Sequence, residues 1–100
     1  MTSLLVVRHG PESGSSYRLD APVTAIGRHP DSDVFLDDIT VSRRHVEISR
    51  DDGGYVLRDV GSLNGTYVNR ERVDEARLQH GDEVQIGRYR LSFVLGRAGG

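Results

Sequence analysis

The chain has 100 residues, 36% of them hydrophobic, a formal net charge of −2 and no cysteine. That length suits one domain and is too short for two, and the charge argues against a general nucleic-acid binder, which needs a broadly basic face. Without cysteine no disulfide or thiolate metal site can form, and the apolar run Leu4–Val7 stops at Arg8, too short for a membrane span or a signal-peptide core.

Glycine and proline divide the chain into short pieces. Leu4–Val7 reads as a buried strand and His9–Ser16 as a loop. Strands are predicted at Tyr17–Leu19 and Val23–Ile26, around a turn at Ala21-Pro22, and at Val34–Leu36 after the loop Pro30–Asp33. In His45–Ser49, Val46 and Ile48 alternate with Glu47 and Ser49, the pattern of a half-buried strand. Asp51-Asp52-Gly53-Gly54 is a hairpin signal, and Tyr55–Arg58 is the returning strand. Thr66–Val68 follows the Asn64-Gly65 turn, and Glu83–Ile86 with Tyr89–Leu95 forms a closing hairpin around Gly87-Arg88. Arg70–His80 is ambiguous: Val73, Ala76 and Leu78 fit one face of a short helix, but the tight β signals on either side favour short strands or a turn. The expected architecture is an all-β sandwich of two packed, mostly antiparallel sheets over residues 1–95, with 96–100 a linker or tail. Function on such a scaffold belongs to the loops at one end.

Three clusters at strand boundaries carry chemistry: Gly27-Arg28, Ser42-Arg43-Arg44-His45 and Ser62-Leu63-Asn64-Gly65-Thr66. Together they offer guanidinium, hydroxyl and carboxamide groups and few acids, a donor set suited to a bound phosphate. An arginine fork meets two phosphate oxygens at once, and an asparagine both donates and accepts, so it can bridge to a peptide backbone.

These clusters, with Tyr67-Val68-Asn69, Gly81-Asp82-Glu83 and Gly87, resemble those of forkhead-associated (FHA) domains, and the likeness spans Leu4–Leu95. Gly27–Asp33, Asp38–His45 and Asp59–Arg70 are most similar to small actinobacterial FHA regulators of the oxoglutarate dehydrogenase inhibitor type. The resemblance implies a phosphothreonine-binding module. Arg28 and Ser42 would hold the phosphate, with Arg43 at its rim. Asn64 would bond the peptide main chain after the phosphothreonine. Leu63, at a position that often carries a hydroxyl residue, would act through its backbone or apolar surface, and Gly65 would permit close approach. Gly27, His45, Thr66 and Asn69 would support the site. The implied partners are phosphothreonine-containing proteins, among them Ser/Thr kinases, their substrates and metabolic enzymes, met by a cytoplasmic monomer with no cofactor. Such regulators carry an N-terminal segment whose phosphorylated threonine folds back onto the domain. Here only Thr2 and Ser3 precede the first strand, too near it to reach a site at the loop end.

Other readings remain open for the same residues. A lone Gly-Arg pair is usually a solvated surface arginine, Ser42 alone a turn cap, and Arg44 a charged face. Asn64-Gly65 is also a common hairpin turn. The acids Asp31, Asp33, Asp37 and Asp38 read as loop solubilisers. His9, His29 and His80 are scattered, with no pair at metal-ligand spacing. Ser42, His45 and Asp59 supply the residue types of a hydrolase triad, but no Gly-rich elbow presents the serine. The same loop face could also bind partners independently of phosphate.

Overall fold

The structure is a computed structural model and describes residues 3–96; Thr2, and positions 97–100 of the expected tail, lie outside the described residues. Eleven strands form in chain order. The first four are β1 (Leu4–His9), β2 (Ser16–Arg18), β3 (Val23–Gly27) and β4 (Val34–Phe35). They are followed by β5 (Val46–Asp51), β6 (Gly54–Asp59), β7 (Thr66–Val68) and β8 (Glu71–Val73). The last three are β9 (Glu75–Leu78), β10 (Glu83–Ile86) and β11 (Tyr89–Val94). They make a six-stranded sheet, ordered β2-β1-β11-β10-β7-β8, and a five-stranded sheet, ordered β4-β3-β5-β6-β9. The registered pairs are antiparallel except β3 with β4. This is the expected all-β sandwich.

The pattern of two decides which side chains meet between the sheets. Leu5, Val7, Val84, Ile86, Leu91 and Phe93 of the six-stranded sheet are buried against Ile26, Val46, Ile48, Leu57 and Leu78 of the other. Tyr55 and Phe93 meet edge to face across the layers, with ring centroids 5.3 Å apart and planes at 61°, a geometry that the ring quadrupoles favour.

The ambiguous stretch resolves as β8 and β9. Asn69 and Arg70 both have positive φ, 50° and 70°, so the chain reverses between β7 and β8 in a tight turn that no helix could contain. Val73 and Ala76 then pack against the core from strands of different sheets, and their helix-like spacing is coincidental. Gly96, the first residue of the expected tail, donates its N–H to Ser3 Oγ at 2.9 Å.

The connections β3–β4, β4–β5, β6–β7 and β10–β11 gather at one end of the sandwich. Short bonds stitch them together there, and this end carries the candidate site.

Candidate functional site

Gly27 closes β3 where the β4–β5 connection crosses it. A Cβ at Gly27 would stand 2.1 Å from the Arg43 carbonyl oxygen, so only glycine allows this contact. The crossing is held by main-chain bonds: Arg28 N–H to the Ser42 carbonyl at 3.0 Å, and His29 N–H to that of Arg43 at 3.1 Å. Arg28 therefore enters the site beside Ser42, although fourteen positions separate them in sequence. Its Nε–H donates to the Val41 carbonyl at 3.0 Å. One edge of the guanidinium is thus spent on orientation, and both Nη groups of this exposed side chain are left for a ligand.

Ser42 is half-buried. Its Oγ accepts the Leu63 N–H at 2.9 Å, which leaves the hydroxyl proton available to a ligand acceptor. Leu63 makes this bond through its backbone, while its side chain is 86% exposed. Asn64 closes the same junction: its Nδ2–H donates to the Thr40 carbonyl at 3.1 Å, and its Oδ1 and second N–H remain free. Gly65 follows with φ +88°, and a Cβ there would lie 2.8 Å from Arg72 Nε. Arg28, Ser42, Leu63, Asn64 and Gly65 thus share one rim. Arg43 is exposed on the loop next to Ser42, and Arg44 beside it is exposed as well.

His45 lies beneath them, with 0% of its surface exposed. Nδ1 accepts the Ser42 N–H at 3.1 Å, and Nε2 lies 3.0 Å from the Gly65 carbonyl. A carbonyl only accepts, so Nε2 carries the proton and the ring is neutral. Burial pushes its pKa below the ordinary histidine value, and the Gly65 carbonyl and the Asp59 charge offset this only in part. His45 therefore couples the serine loop to the asparagine loop through one rigid ring. Both of its nitrogens are committed, so it cannot act as a base on Ser42, and the triad geometry is not formed.

Asp59 has a different task. Its carboxylate accepts the N–H groups of Gly61 and Ser62, each at 2.9 Å, the Thr66 hydroxyl at 2.8 Å and the Ser62 hydroxyl. Burial opposes its ionisation, but these bonds outweigh that cost and hold the pKa well below the carboxylate range. Ser62 Oγ in turn accepts the Gly65 N–H at 3.0 Å, so the β6–β7 loop is internally fixed. Thr66 is fully buried and belongs to this network. Asn69 stands apart: it clips the β7–β8 turn to Asp82 and Glu83, at the far end of β10.

Sequence reading took Asp38 for a loop solubiliser and Arg88 for part of a hairpin turn, and it missed the role of Thr40 that joins them. Asp38 accepts the Thr40 N–H at 2.9 Å and its hydroxyl at 2.6 Å, and pairs with Arg88 Nε at 3.3 Å. The Arg88 N–H donates to Thr40 Oγ1 at 3.0 Å. Thr40 is thus the knot joining the β4–β5, β6–β7 and β10–β11 connections. Asp33 also does more than solubilise: it accepts the Ala25 N–H on β3 at 2.8 Å. The Asp-x-x-Ser spacing at 59–62 and the Asp-x-Thr spacing at 38–40 are local turn signals that could have flagged both networks. The contact of Arg88 with Thr40 spans 48 positions and left no trace in the sequence. Among the described residues no group of three His, Cys, Asp or Glu is placed to hold a metal, and no helix is long and apolar enough to cross a membrane.

Comparison with known proteins agrees with this geometry. Residues 24–87 match the family model of the FHA domain. The chain is 62% identical over 95 residues to the glycogen accumulation regulator GarA of Mycolicibacterium smegmatis, covering 95% of this chain and 60% of that protein. It is 59% identical over 93 residues to the oxoglutarate dehydrogenase inhibitor of Corynebacterium diphtheriae, covering 93% of this chain and 65% of that one. The chain thus spans less than two thirds of the length of these relatives. Among solved structures, one described as a structural and functional analysis of phosphothreonine-dependent FHA domain interactions superposes with a TM-score of 0.89 at 34% identity, over 98% of this chain and all of that one.

Proposed function

The chain belongs to the FHA domain family, and from that premise we propose that it is a phosphothreonine-dependent protein-binding module that regulates its partners by docking and carries out no chemistry. The observation that carries this reading is the shared rim. Two free Nη groups of Arg28, the spare proton of Ser42 and the amide of Asn64 are held together by bonds to Val41, Leu63 and Thr40. Arg28 and Ser42 take the phosphate, Arg43 adds charge at its edge, and Asn64 bonds the peptide main chain. Gly27, His45 and Thr66 hold the rim in shape. Hydrogen bonds to charged groups contribute about 1.5–3 kcal/mol each, so two or three support a reversible contact. The committed nitrogens of His45 support the non-catalytic reading. The module acts as a cytoplasmic monomer downstream of Ser/Thr kinases, and the names of its relatives point to enzymes of central metabolism as partners.

Calorimetric titration tests it. A phosphothreonine peptide binds, and its unphosphorylated and phosphoserine forms bind far more weakly. Arg28→Ala weakens the phosphopeptide by about tenfold or more with an unchanged melting curve. Arg28→Lys fails to restore it, because an ammonium lacks the fork that Nε orients. Phosphopeptide affinity unaffected by Arg28→Ala sinks the assignment. A second mode, docking on the same face without phosphate, is favoured by the relative named as an inhibitor of an enzyme. Pull-downs before and after phosphatase treatment separate the two.

A further inference from the structure

Every cation of the chain is arginine, for the sequence contains no lysine. Arg70, Arg72, Arg88 and Arg90 collect on one face although the chain as a whole is acidic, at −2. Antiparallel registers set Arg72 opposite Tyr67, Tyr67 opposite Gln85, and Gln85 opposite Arg90. These four form one row across β8, β7, β10 and β11, on the outer face of the six-stranded sheet. With strands about 4.8 Å apart the row is roughly 14 Å long, the reach of some four residues of extended peptide. Arg88, in the β10–β11 turn, and Arg70, in the β7–β8 turn at the other end of β10, flank the row on its two sides, and with Tyr67, Gln85 and Arg90 they line an open concavity of about 590 Å³ that runs up to Thr40 and Asn64.

Two features separate this face from an ordinary charged surface. Arg70, Arg72 and Arg90 have no ion-pair or side-chain hydrogen-bond partner among the described residues, in contrast to Arg58, Arg77 and Arg88, which each face a carboxylate. Glu83, two residues from Gln85 along β10, is joined to none of them. Arg70 also occupies the left-handed region at φ 70°, a conformation disfavoured for a non-glycine residue. The strained position lies at the wall of the groove.

We propose that this arginine row is a second recognition surface, which takes carboxylate side chains on a segment flanking the docked phosphothreonine. The inference rests on the phosphothreonine reading above. The occupant follows from continuity with the socket at Thr40 and Asn64, from unpaired guanidinium groups matched to carboxylates, and from a floor wide enough for an extended chain.

The test uses three phosphothreonine peptides with the same core: one flanked by alanines, one with a glutamate run before the phosphothreonine and one with it after. One of the glutamate peptides is expected to bind wild type about fivefold more tightly than the alanine peptide, the size of effect for partly exposed charge pairs. Arg70→Gly, which relieves the backbone strain, and Arg90→Ala each reduce that advantage and change the alanine peptide less than about twofold. Equal affinity for all three peptides, with Arg28 dependence intact, overturns the arginine row and leaves the socket standing. Loss of Arg28 dependence instead overturns the phosphothreonine reading, and this inference with it. Binding of a single-stranded oligonucleotide that Arg90→Ala abolishes, without preference among the peptides, overturns it in favour of a nucleic-acid face.

Discussion

His45 holds two loops by means of one proton. Nδ1 must stay bare to accept the Ser42 N–H, and Nε2 must stay protonated to reach Gly65. The unfolded chain takes up a proton on histidine near pH ~6.5, and the folded chain does so only at lower pH, because burial lowers the value. Between those two points the unfolded state binds more protons, so the contribution of His45 to stability is complete above about pH 6.5 and is lost as the pH falls. Urea midpoints at pH 7.5 and 5.5 are expected to show the domain weaker at 5.5, and His45→Gln, less stable at both, to show a smaller drop. An unchanged pH response in His45→Gln would assign the effect to other groups. Phosphopeptide affinity of the folded domain should hold through that interval and fall only at the lower pH where folded His45 itself takes up a proton, since protonation sets an N–H of the ring against that of Ser42.

At the scale of elements, the strand pattern was readable wherever alternation and a turn agreed. Val46 and Ile48 point inward as their spacing implies, and Asp52-Gly53 joins β5 to β6. The β8–β9 region was not readable from periodicity, since Val73, Ala76 and Leu78 fit a helix equally well. The Asn69-Arg70 turn decides it, and positive φ at an arginine carries no sequence signal. The rim residues themselves were legible because their types are uncommon together. The bonds that orient them were not, since Thr40, Val41 and Leu63 act through backbone atoms that any residue possesses. Gly27 links the two levels. Gly27→Ala sets a methyl against the Arg43 carbonyl, a backbone atom that cannot swing aside. Overpacking of this kind costs about 1–3 kcal/mol, and the β4–β5 connection must move off β3. Gly27→Ala is therefore expected to lower the urea midpoint and weaken the phosphopeptide together, in contrast to Arg28→Ala, which affects binding alone. Unchanged affinity in Gly27→Ala would mean that the crossing does not set the socket.

On the scale of the whole molecule, the rim draws on both sheets. The β3–β4 and β4–β5 connections belong to the five-stranded sheet, β10–β11 belongs to the six-stranded one, and β6–β7 passes between them. The site therefore exists only while the layers are packed, with Phe93 against Tyr55 at the centre. A ligand that binds only the packed form stabilises it by about 2.7 kcal/mol at one hundred times its Kd. For a domain of this size each kcal/mol moves Tm by about 4–8 °C, so saturating phosphopeptide is expected to raise Tm by roughly 10 °C or more. Calorimetric scans check this, and Arg28→Ala should show about half that rise or less at the same peptide concentration, as a Kd weakened tenfold or more requires.

One consequence follows from the way Asn64 is tethered. Its nitrogen keeps one N–H on the Thr40 carbonyl, so the amide offers a visiting main chain its remaining N–H and, as acceptor, its Oδ1. An imino acid at that place in the ligand has no hydrogen to give that oxygen. A proline scan of a bound phosphopeptide should thus reveal one forbidden position, and that position marks where the visiting strand passes over residue 64.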